Sequence, residues 1–548
     1  MTGETAVMHY DEETRAFYVL ARTDELRAWA KETGLDRSVP ASQREGCDVF
    51  LTHEPYAALP FYDCGSVKAR DILFPLHLEY EASMALDCSY QPPAPPDMEF
   101  MPFQRAGILY ALDRKHCLIG DQPGLGKTME AIGLANAVGA ERVLVVCPAS
   151  VRRQWRREIA LWSTIRRQQT YLIEKSSDGV SPFANYTVVS YDLARSQEVH
   201  NALMALEYDL LVLDEAHYLK TTDARRTRAT FGGFRQFRNE ADEGRETNEF
   251  GYRGSLAERS ARVLGLTGTP LPNRPRECYN LFRHLAWDAI DWQSEDAFQH
   301  RYNPSFRWPS GRIEERRGRL PELRARLRCN LMVRRLKRDV LTQLPDKRYE
   351  LAYVEPNGAI RKVLRAESLL DIDPDRLDEI DAKVWGQIST VRREMGVAKV
   401  PRVIEHIRML LDGGLEKVFV AVHHREVAAL MQTAFPGAAV IVGSTTPVQR
   451  ERAKERFVED PDCRVLLGQL QAAGTGIDGL QAACSHVVFA EASWTPGENE
   501  QFIDRLHRIG QDYSVLAQFL VAPGSLDERI LGRAIEKLHT IHHTLDGD

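Results

Sequence analysis

The sequence predicts an α/β protein with two lobes, each built on a parallel β-sheet, together with a small α+β domain at the N-terminus and a helical insertion between the lobes. Short apolar runs alternate with helical segments over residues 99–290 and again over 396–520. Such alternation is typical of a parallel sheet covered by helices on both faces. The stretch between them, 291–395, is rich in arginine and then helical in pattern.

The remaining boundaries follow from proline content and from the length of the apolar runs. Residues 1–90 mix β-like runs with one helical stretch, and they end in a proline-rich linker over 91–98 that favours an extended polyproline conformation. The C-terminal tail, 521–548, is short and mostly helical in pattern. The strands predicted in the two lobes are Val143–Cys147, Thr187–Ser190, Leu210–Leu213, Val263–Leu266, Lys417–Val422, Ala439–Val442, Val465–Leu467 and His486–Ala490.

Composition narrows the class of protein. Hydrophobic residues make up 43% of the 548-residue chain, which is enough for two packed cores. No apolar run reaches the roughly 18 residues that a membrane span needs, and the first residues lack a secretory pattern, so we expect an intracellular protein of the cytoplasm or nucleoid. The nine cysteines are scattered, which argues against zinc modules and a disulfide framework.

A glycine-rich segment over residues 120–128, Gly-Asp-Gln-Pro-Gly-Leu-Gly-Lys-Thr, separates an apolar stretch from a helix-like one. Gly124 and Gly126 would let backbone N–H groups close around an anion. Lys127 would bring a positive charge to the outer phosphates, and Thr128 would offer a hydroxyl group to Mg²⁺ at a helix N-terminus. The segment predicts a phosphate-binding loop and therefore a nucleotide.

A second motif follows the apolar run Leu210–Leu213, which ends in the tetrapeptide Asp-Glu-Ala-His at 214–217. A buried parallel strand with two carboxylates at its C-terminal end is the arrangement that an α/β nucleotide site needs. Asp214 would hold Mg²⁺, and Glu215 would orient and deprotonate the attacking water.

Two further motifs complete the pattern. Leu264–Pro270 is a predicted strand that ends in small and hydroxyl residues. Within Gln501–Gln511, Arg505 and Arg508 are three residues apart, which predicts one helical face. Such arginines can neutralise charge on a transferred phosphoryl group, as arginine fingers from a second domain. In isolation this spacing more often means a solvated basic helix, and the other motifs make it specific.

Together the motifs resemble those of the Swi/Snf-type ATPases of helicase superfamily 2, most closely the branch of annealing helicases, which is related to HepA, and its compact phage and bacterial members. Asp121 departs from the general phosphate-loop pattern, but this family commonly has aspartate there. The matching stretches run in family order from about residue 100 to about residue 530: Pro102–Gly107, Asp121–Thr128, Val145–Ser150 with Trp155, Asp214–His217, Leu266–Pro270, Arg334–Leu341, Ala421–Arg425 and Gln501–Gln511. This resemblance, together with the compact chain, implies a phage or bacterial setting.

The resemblance implies two RecA-like lobes that hydrolyse ATP with Mg²⁺ in the cleft between them, the finger arginines completing the site when the lobes close. The residues that it assigns to nucleotide binding are Gln104 for adenine, then Asp121, Gly124, Gly126, Lys127 and Thr128 for phosphates. The metal ligands would be Thr128 and Asp214. The catalytic set would be Lys127, Asp214, Glu215, Arg505 and Arg508. The residues expected to relay the nucleotide state are His217, Thr267, Thr269 and Gln501. The candidates for DNA contact are Ser150, Arg152, Trp155, Arg156, Gly474 and Thr475.

One stretch departs from the family pattern. Members usually have a glycine-rich turn followed by Asn-Leu, whereas this chain has Gly474–Leu480 with Asp478 in place of asparagine. The run Gly-Ile-Asp resembles the fifth motif of other superfamily members, in which the aspartate touches ribose. Asp478 is therefore predicted to contact the nucleotide.

Partners follow from local charge, because the net charge is −7 and the chain has no general basic coat. Residues 312–338 hold eleven Lys or Arg against three Glu, and 152–157 form a second basic cluster. Each could be a solvated helix face, but in a family that moves along DNA both are candidates for phosphate contacts.

The leading functional prediction is a DNA-stimulated ATPase that translocates along double-stranded DNA and remodels or anneals DNA structures, including branched DNA and DNA with single-stranded regions. One alternative is a true strand-separating helicase or an RNA-polymerase-recycling ATPase of the HepA type. An alternative of another class is a DNA-binding scaffold without catalysis. We expect a monomer whose residues 1–90 select the DNA structure or a protein partner.

Overall fold

The computed structural model describes most of the chain, and the account below is confined to those residues. They are 6–33, 35–37, 48–165, 168–232, 254–268, 270, 275–286, 289–290, 294–302, 305–307, 313–315, 319–370, 382–474, 477–529 and 531–532.

The N-terminal domain contains an antiparallel sheet with the strand order β1-β2-β4-β3. Its first helix begins where Thr23 accepts a hydrogen bond from the Leu26 backbone N–H at 3.2 Å, the usual role of a threonine N-cap. Apolar side chains from the sheet, including Val19 and Phe50, pack against Leu73 of α3. The elements are β1 Ala6–Asp11, β2 Ala16–Ala21, β3 Asp36–Arg37, β4 Asp48–Thr52, α1 Asp24–Glu32, α2 Pro55–Ala58 and α3 Val67–Ala82.

A parallel sheet follows, with the described strands in the order β13-β5-β10-β9-β6-β8-β7. Its central strands are continuous runs of Val, Leu and Ile because helices cover both faces. Its strands are β5 His116–Ile119, β6 Val143–Cys147, β7 Thr170–Leu172, β8 Tyr186–Ser190, β9 Tyr208–Asp214, β10 Ser260–Leu266 and β13 Met332–Val333, and β11 Ser305–Arg307 with β12 Ile313–Glu315 forms a separate antiparallel pair. The helices are α4 Pro102–Leu112, α5 Lys127–Ala137, α6 Arg152–Trp162, α7 Tyr191–Ala194, α8 Gln197–Met204, α9 Arg225–Phe231, α10 Tyr279–Leu285, α11 Glu295–Tyr302 and α12 Leu320–Asn330.

A second parallel sheet has the strand order β14-β19-β18-β15-β17-β16 within the described residues. Its strands are β14 Lys347–Tyr353, β15 Val418–Val422, β16 Ala439–Ile441, β17 Val465–Gln469, β18 His486–Phe489 and β19 Val515–Val521. The helices of this lobe are α13 Lys337–Val340, α14 Gly358–Ser368, α15 Ala382–Asp412, α16 Arg425–Ala434, α17 Pro447–Glu459, α18 Leu470–Ala473 and α19 Pro496–Ile503.

The predicted fold class is confirmed: two parallel α/β sheets and a small antiparallel N-terminal sheet. The chain forms two compact units; its main passage from the first to the second lies between Leu336 and Lys337, and the second unit also takes in residues 123–125 of the glycine-rich loop. This passage lies inside the stretch 291–395 that the sequence assigned to the insertion and linker. The short strand β13 belongs to the first sheet and β14 to the second, so both lobes recruit strands from that stretch.

The prediction that the basic cluster at 312–338 contacts DNA phosphates was wrong for five of its eleven Lys and Arg residues. Five of its basic side chains are buried, with 4% exposure or less, and each is held by protein groups. They are Arg326, Arg328, Arg334, Arg335 and Lys337. No helix in the described part of the chain combines the length and apolar character needed to cross a membrane.

Candidate functional site

The predicted phosphate-binding loop connects β5 to α5. Gly124 and Gly126 have φ values of +89° and +85°, in the left-handed region that favours glycine. Gly126 caps the N-terminus of α5, and a Cβ atom there would overlap the side-chain amide of Gln104. Gln104 is buried, and its Oε1 accepts a hydrogen bond from the Met101 N–H at 3.0 Å. The predicted adenine-recognition residue therefore lies directly against the loop.

Lys127 begins α5 and folds back over the loop that precedes it. Its Nζ donates hydrogen bonds to the carbonyl oxygens of Asp121 at 2.7 Å and of Gln122 at 3.2 Å. Burial lowers the pKa of Lys127, whereas the carboxylate of Glu215 has the opposite effect. The ammonium group thus lies in the concavity of the loop, and Thr128 follows it in the first helical turn.

Asp121, predicted to contact the nucleotide, has a different partner. It is fully buried, and its carboxylate accepts hydrogen bonds from Nε and Nη2 of Arg335 at 2.9 and 2.6 Å and from the Arg335 backbone N–H at 2.8 Å. Arg335 also donates from Nη2 to Oε1 of Glu130 on α5 at 2.5 Å. Asp121 therefore anchors the loop to the protein interior. Sequence reasoning missed the role of Arg335 as the partner of Asp121. The signal that could have indicated it was a pair of arginines directly after the apolar run Leu331–Val333.

The acidic pair lies at the C-terminal end of β9, as predicted. Oδ2 of Asp214 accepts a hydrogen bond from Nε1 of Trp155 at 2.8 Å, and its backbone carbonyl accepts one from the Tyr191 hydroxyl at 2.9 Å. Burial and the neighbouring Glu215 raise the pKa of Asp214 to about 6. We predicted a DNA contact for Trp155, but its indole is 2% exposed and supports the acidic pair instead.

Glu215 adopts a left-handed backbone conformation with φ of +52°. This conformation is uncommon for a residue with a side chain and is often found at functional sites. Oε2 of Glu215 lies 3.3 Å from Nδ1 of His217, and the same nitrogen lies 3.0 Å from Oγ1 of Thr267. His217 therefore connects the predicted general base to the third motif. Thr269, which we predicted to act with Thr267, is outside the described residues.

Strand register explains why these motifs meet. In the parallel sheet, Leu266 of β10 is opposite Asp214 of β9 and also opposite Ile119 of β5. The backbone N–H of Thr267 donates to the Ile119 carbonyl at 3.0 Å. The phosphate loop, the acidic pair and the hydroxyl motif consequently leave the sheet at the same edge.

The donor set at this edge fits ATP with Mg²⁺. Two adjacent carboxylates, Asp214 and Glu215, lie beside the loop, and burial together with the charge of Glu215 raises the pKa of Asp214. A divalent cation would offset that cost, and oxygen donors are the ligands that Mg²⁺ prefers. Lys127 supplies the cationic group for phosphate oxygens.

In the second unit, the predicted finger arginines follow α19. The helix ends at Ile503, so the prediction that Arg505 and Arg508 share a helical face was wrong. Both lie in the turns beyond it. Arg508 donates from Nη1 to Oδ1 of Asp478, and Nη1 of Arg505 lies 3.8 Å from the same oxygen. Asp478 thus holds the two arginines together, and Gln501 is buried within α19.

The remaining DNA candidates lie in both units. In the first unit Ser150 is in a 3₁₀ turn before α6, Arg152 is partly buried on α6 and Arg156 is exposed on the same helix. In the second unit Gly474 ends α18, while Thr475 is outside the described residues. Of these side chains, Arg156 has the exposure that a phosphate contact requires.

Comparison with protein families places the chain. A model of the SNF2-related domain matches residues 43–237 and 255–402, and a model of the helicase conserved C-terminal domain matches 399–510. The first of these covers more than half of the chain. The family predicted from the motifs is thereby confirmed.

Individual proteins give the same result. The human DNA annealing helicase and endonuclease ZRANB3 is 31% identical over 468 residues, which cover 82% of this chain and 40% of that protein. The SWI/SNF-related matrix-associated actin-dependent regulator of chromatin subfamily A-like protein 1 of Xenopus tropicalis is 29% identical over 448 residues, which cover 80% of this chain and 44% of that protein. The chain therefore spans about two fifths of the length of these curated relatives.

Among solved structures, the Sulfolobus solfataricus SWI2/SNF2 ATPase core in complex with dsDNA is 17% identical, with a TM-score of 0.37, and the match covers 85% of this chain and 98% of that one. On the family models, the chain belongs to the SNF2-related family, the Swi/Snf-type ATPases of helicase superfamily 2.

Proposed function

We propose that this chain is an ATPase stimulated by double-stranded DNA, which couples hydrolysis to movement along the duplex and so remodels or anneals DNA structures. The observation that carries the proposal is the convergence of the phosphate loop, the acidic pair and the His217–Thr267 pair at one sheet edge. The name of a relative, a DNA annealing helicase, supports DNA as the substrate.

The chemistry proposed for the first unit follows from its contacts. Gln104 recognises the adenine edge, and Lys127 with the loop N–H groups binds the phosphates. Thr128 and Asp214 hold Mg²⁺, which when bound supplies positive charge against the phosphate oxygens. Glu215 accepts a proton from the attacking water, because its backbone conformation and His217 fix its carboxylate at the edge where the loop ends.

Coupling to the nucleotide state is proposed for the pair His217 and Thr267. Nδ1 of His217 lies within 3.3 Å of both the Glu215 carboxylate and the Thr267 hydroxyl, so a change in the position of Glu215 alters both contacts. Thr267 is fully buried and hydrogen-bonded to the strand before the phosphate loop. A shift at the water-activating carboxylate therefore has a short route into the sheet.

The second unit is proposed to supply the arginine fingers. Arg505 and Arg508 share Asp478, and a guanidinium released from that carboxylate can stabilise the charge on the transferred phosphoryl group. In this proposal Asp478 binds the two arginines until they are released towards the nucleotide. A contact between Asp478 and ribose is the alternative role that its motif suggests.

The first experiment measures ATP hydrolysis by the wild type and Lys127→Ala without nucleic acid and with single-stranded DNA, double-stranded DNA or RNA, each at two salt concentrations. Strong stimulation by duplex DNA that weakens with salt and disappears in Lys127→Ala supports the proposal. Displacement of a triplex-forming strand would then demonstrate translocation, and a strand-displacement assay would separate it from unwinding. Turnover that ignores duplex DNA, or that prefers RNA or single strands, contradicts the proposal.

A further inference from the structure

The segment that carries the chain from the first unit to the second is anchored firmly on its first-unit side. After β13, the backbone of Gly120 donates to the Val333 carbonyl at 2.7 Å, and Gln122 donates to the Arg335 carbonyl at 3.2 Å. Nη1 of Arg334 donates to the Gly120 carbonyl at 2.7 Å. The phosphate loop and this segment therefore share a continuous set of hydrogen bonds.

Arg335 is the centre of this anchor. It is 2% exposed and binds three elements that touch the nucleotide site: the Phe103 carbonyl next to Gln104, Asp121 of the loop, and Glu130 of α5. The space it occupies depends on Gly107, because a Cβ atom there would overlap both the guanidinium group and the Glu130 carboxylate. A planar five-donor group fits this position, and lysine could satisfy only part of it.

Two residues later, Lys337 makes the corresponding anchor inside the second unit. It is 3% exposed, and its Nζ donates to Oδ1 of Asp504 at 2.8 Å and to the His507 carbonyl. Asp504 and His507 flank Arg505 in the chain, and His507 immediately precedes Arg508. Lys347 also contacts Asp504 at 2.8 Å, so the finger segment, residues 504–508, is held by two lysines.

Burial removes the charges of Arg335 and Lys337 from water. A buried ion pair of this kind adds little stability over well-packed apolar residues. Stability alone is therefore a weak reason for two buried basic residues to lie on either side of the unit boundary. Three consecutive residues span at most about 7 Å between the first and the last Cα atom. A displacement of one anchor by more than a few ångströms must be transmitted to the other.

We propose that Arg335 and Lys337 are positioning residues at the two ends of a short tether, which links the phosphate loop to the finger segment so that occupancy of the loop sets the placement of Arg505 and Arg508. The inference rests on the proposed ATPase function and deepens it. It assigns the coupling between nucleotide binding and finger placement to two buried basic residues, Arg335 and Lys337.

The sharpest test lengthens the tether and leaves both anchors intact. Insertion of two glycines between Leu336 and Lys337 should leave ADP affinity and thermal stability near those of the wild type. It should lower kcat with duplex DNA by about 10²-fold, the scale expected when catalytic groups are displaced by about 1 Å. The control is the same insertion between Gly413 and Gly414, an exposed turn after α15, which should change none of these quantities.

Two results of this test are distinct. A wild type that shows no DNA-stimulated hydrolysis overturns the proposed function, and the tether falls with it. An active wild type together with an equally active tether insertion overturns the tether alone, and Arg335 and Lys337 are then two independent structural contacts.

A double-mutant cycle covers the case in which the insertion does not fold. Arg335→Lys keeps the positive charge but loses the planar guanidinium group with its five donors. Lys337→Gln leaves Asp504 paired with Lys347. If the two residues form one tether, either change breaks it. The double variant should then lose no more kcat than the more damaging of the two single variants. Losses of kcat that multiply would overturn the proposal. Arg338→Gln, an exposed neighbour in the same segment, is the control for charge.

Discussion

The indole Nε1 of Trp155 donates a hydrogen bond to Oδ2 of Asp214 at 2.8 Å, and this contact ties the start of α6 to the proposed magnesium ligand. Only one oxygen of Asp214 is engaged by the indole, and the other accepts from the backbone N–H of Glu215 at 3.0 Å. The indole therefore fixes the orientation of the carboxylate. A basic helix expected to contact DNA thus also carries a residue of the nucleotide site.

Trp155→Phe should lower kcat without changing affinity for duplex DNA. Hydrogen bonds to charged groups contribute about 1.5–3 kcal/mol, which corresponds to roughly a 10- to 100-fold loss if the whole contribution is felt in the transition state. Steady-state hydrolysis at saturating DNA measures kcat, and fluorescence anisotropy measures DNA affinity.

The matched comparison is Arg156→Ala, one residue away and exposed. This change should weaken DNA binding and reduce the salt dependence of log K by about one phosphate contact, while kcat at saturating DNA stays near wild type. A Trp155→Phe variant with weaker DNA binding and normal kcat would contradict the assignment of Trp155 to the nucleotide site.

The strands and the chemistry of the first unit could be predicted from sequence because both are local patterns. Val143–Cys147 is a strand as predicted, and Asp214 ends its strand because a buried parallel strand is a run of apolar residues that stops at a polar one. Arg335 could not be predicted in the same way, since its partners Asp121 and Glu130 are more than 200 residues earlier in the chain. Burial of a basic residue depends on such distant partners, which no local period records.

The finger segment shows the opposite error. The spacing of Arg505 and Arg508 fits a helix, but α19 stops at Ile503 and the chain continues through turns. Contacts with Asp478 hold the two guanidinium groups near each other without a helix. The helical period therefore predicted correctly that the two arginines lie near each other. It predicted incorrectly that the backbone between them is helical.

Arg508→Ala should abolish hydrolysis and spare ATP binding. Removal of an arginine finger costs roughly 10³ to 10⁵ in turnover, because the guanidinium acts on charge that develops in the transition state. Lys127→Ala, in contrast, should weaken both binding and hydrolysis. Binding of a fluorescent ATP analogue and single-turnover hydrolysis separate the two effects.

Arg452→Ala is the control for this experiment, because Arg452 is an exposed arginine on α17 of the same unit. It should retain the turnover of the wild type. Near-normal turnover in Arg508→Ala would remove the second unit from the chemistry.

The buried Glu130 gives a prediction for pH. Burial raises the pKa of Glu130 from 4.5 to about 8, and the neighbouring Arg335 opposes the shift. The folded protein therefore binds more protons at this site than the unfolded chain between these two values, and the contribution of Glu130 to stability is full below pH 4.5 and is lost as the pH rises towards 8. Glu130→Gln cannot titrate and should lack this slope.

Thermal unfolding of the wild type and Glu130→Gln from pH 5 to pH 9 measures the effect. The Tm of the wild type relative to the variant should fall steadily up to about pH 8 and then level. At neutral pH the variant should fold normally, since a neutral amide replaces a mostly protonated carboxyl group. A constant difference in Tm across this range would show that Glu130 is ionised in the folded protein and that Arg335 neutralises it fully.

The contacts of Arg326 predict how the N-terminal domain is held against α12 within the first unit. The side chain is 2% exposed on α12, donates from Nε to Glu322 at 3.0 Å, contacts Glu54 before α2 and lies 4.6 Å from the centre of the Tyr56 ring. When Arg326 is removed, Glu322 still pairs with Arg301 at 2.8 Å, whereas Glu54 loses its contact with Arg326. Arg326→Met should therefore cost about 3–5 kcal/mol, the range for breaking a buried ion pair, and the loss should concentrate at the Glu54 side of the contact.

Hydrogen exchange is the appropriate measurement, because a chain of several domains need not unfold in one step. Protection in β1, β2 and β4 should fall in Arg326→Met while protection in β9 and β10 changes little. The exposed pair Lys68 and Glu12 provides the control, since Lys68→Ala removes a surface ion pair that contributes at most about 1 kcal/mol. Adding Glu54→Gln to Arg326→Met should restore part of the protection, because the amide carries no charge to bury. Unchanged protection in all of these variants would mean that the apolar contacts of Ala325 and Cys329 with the N-terminal core hold the domain without the ion pair.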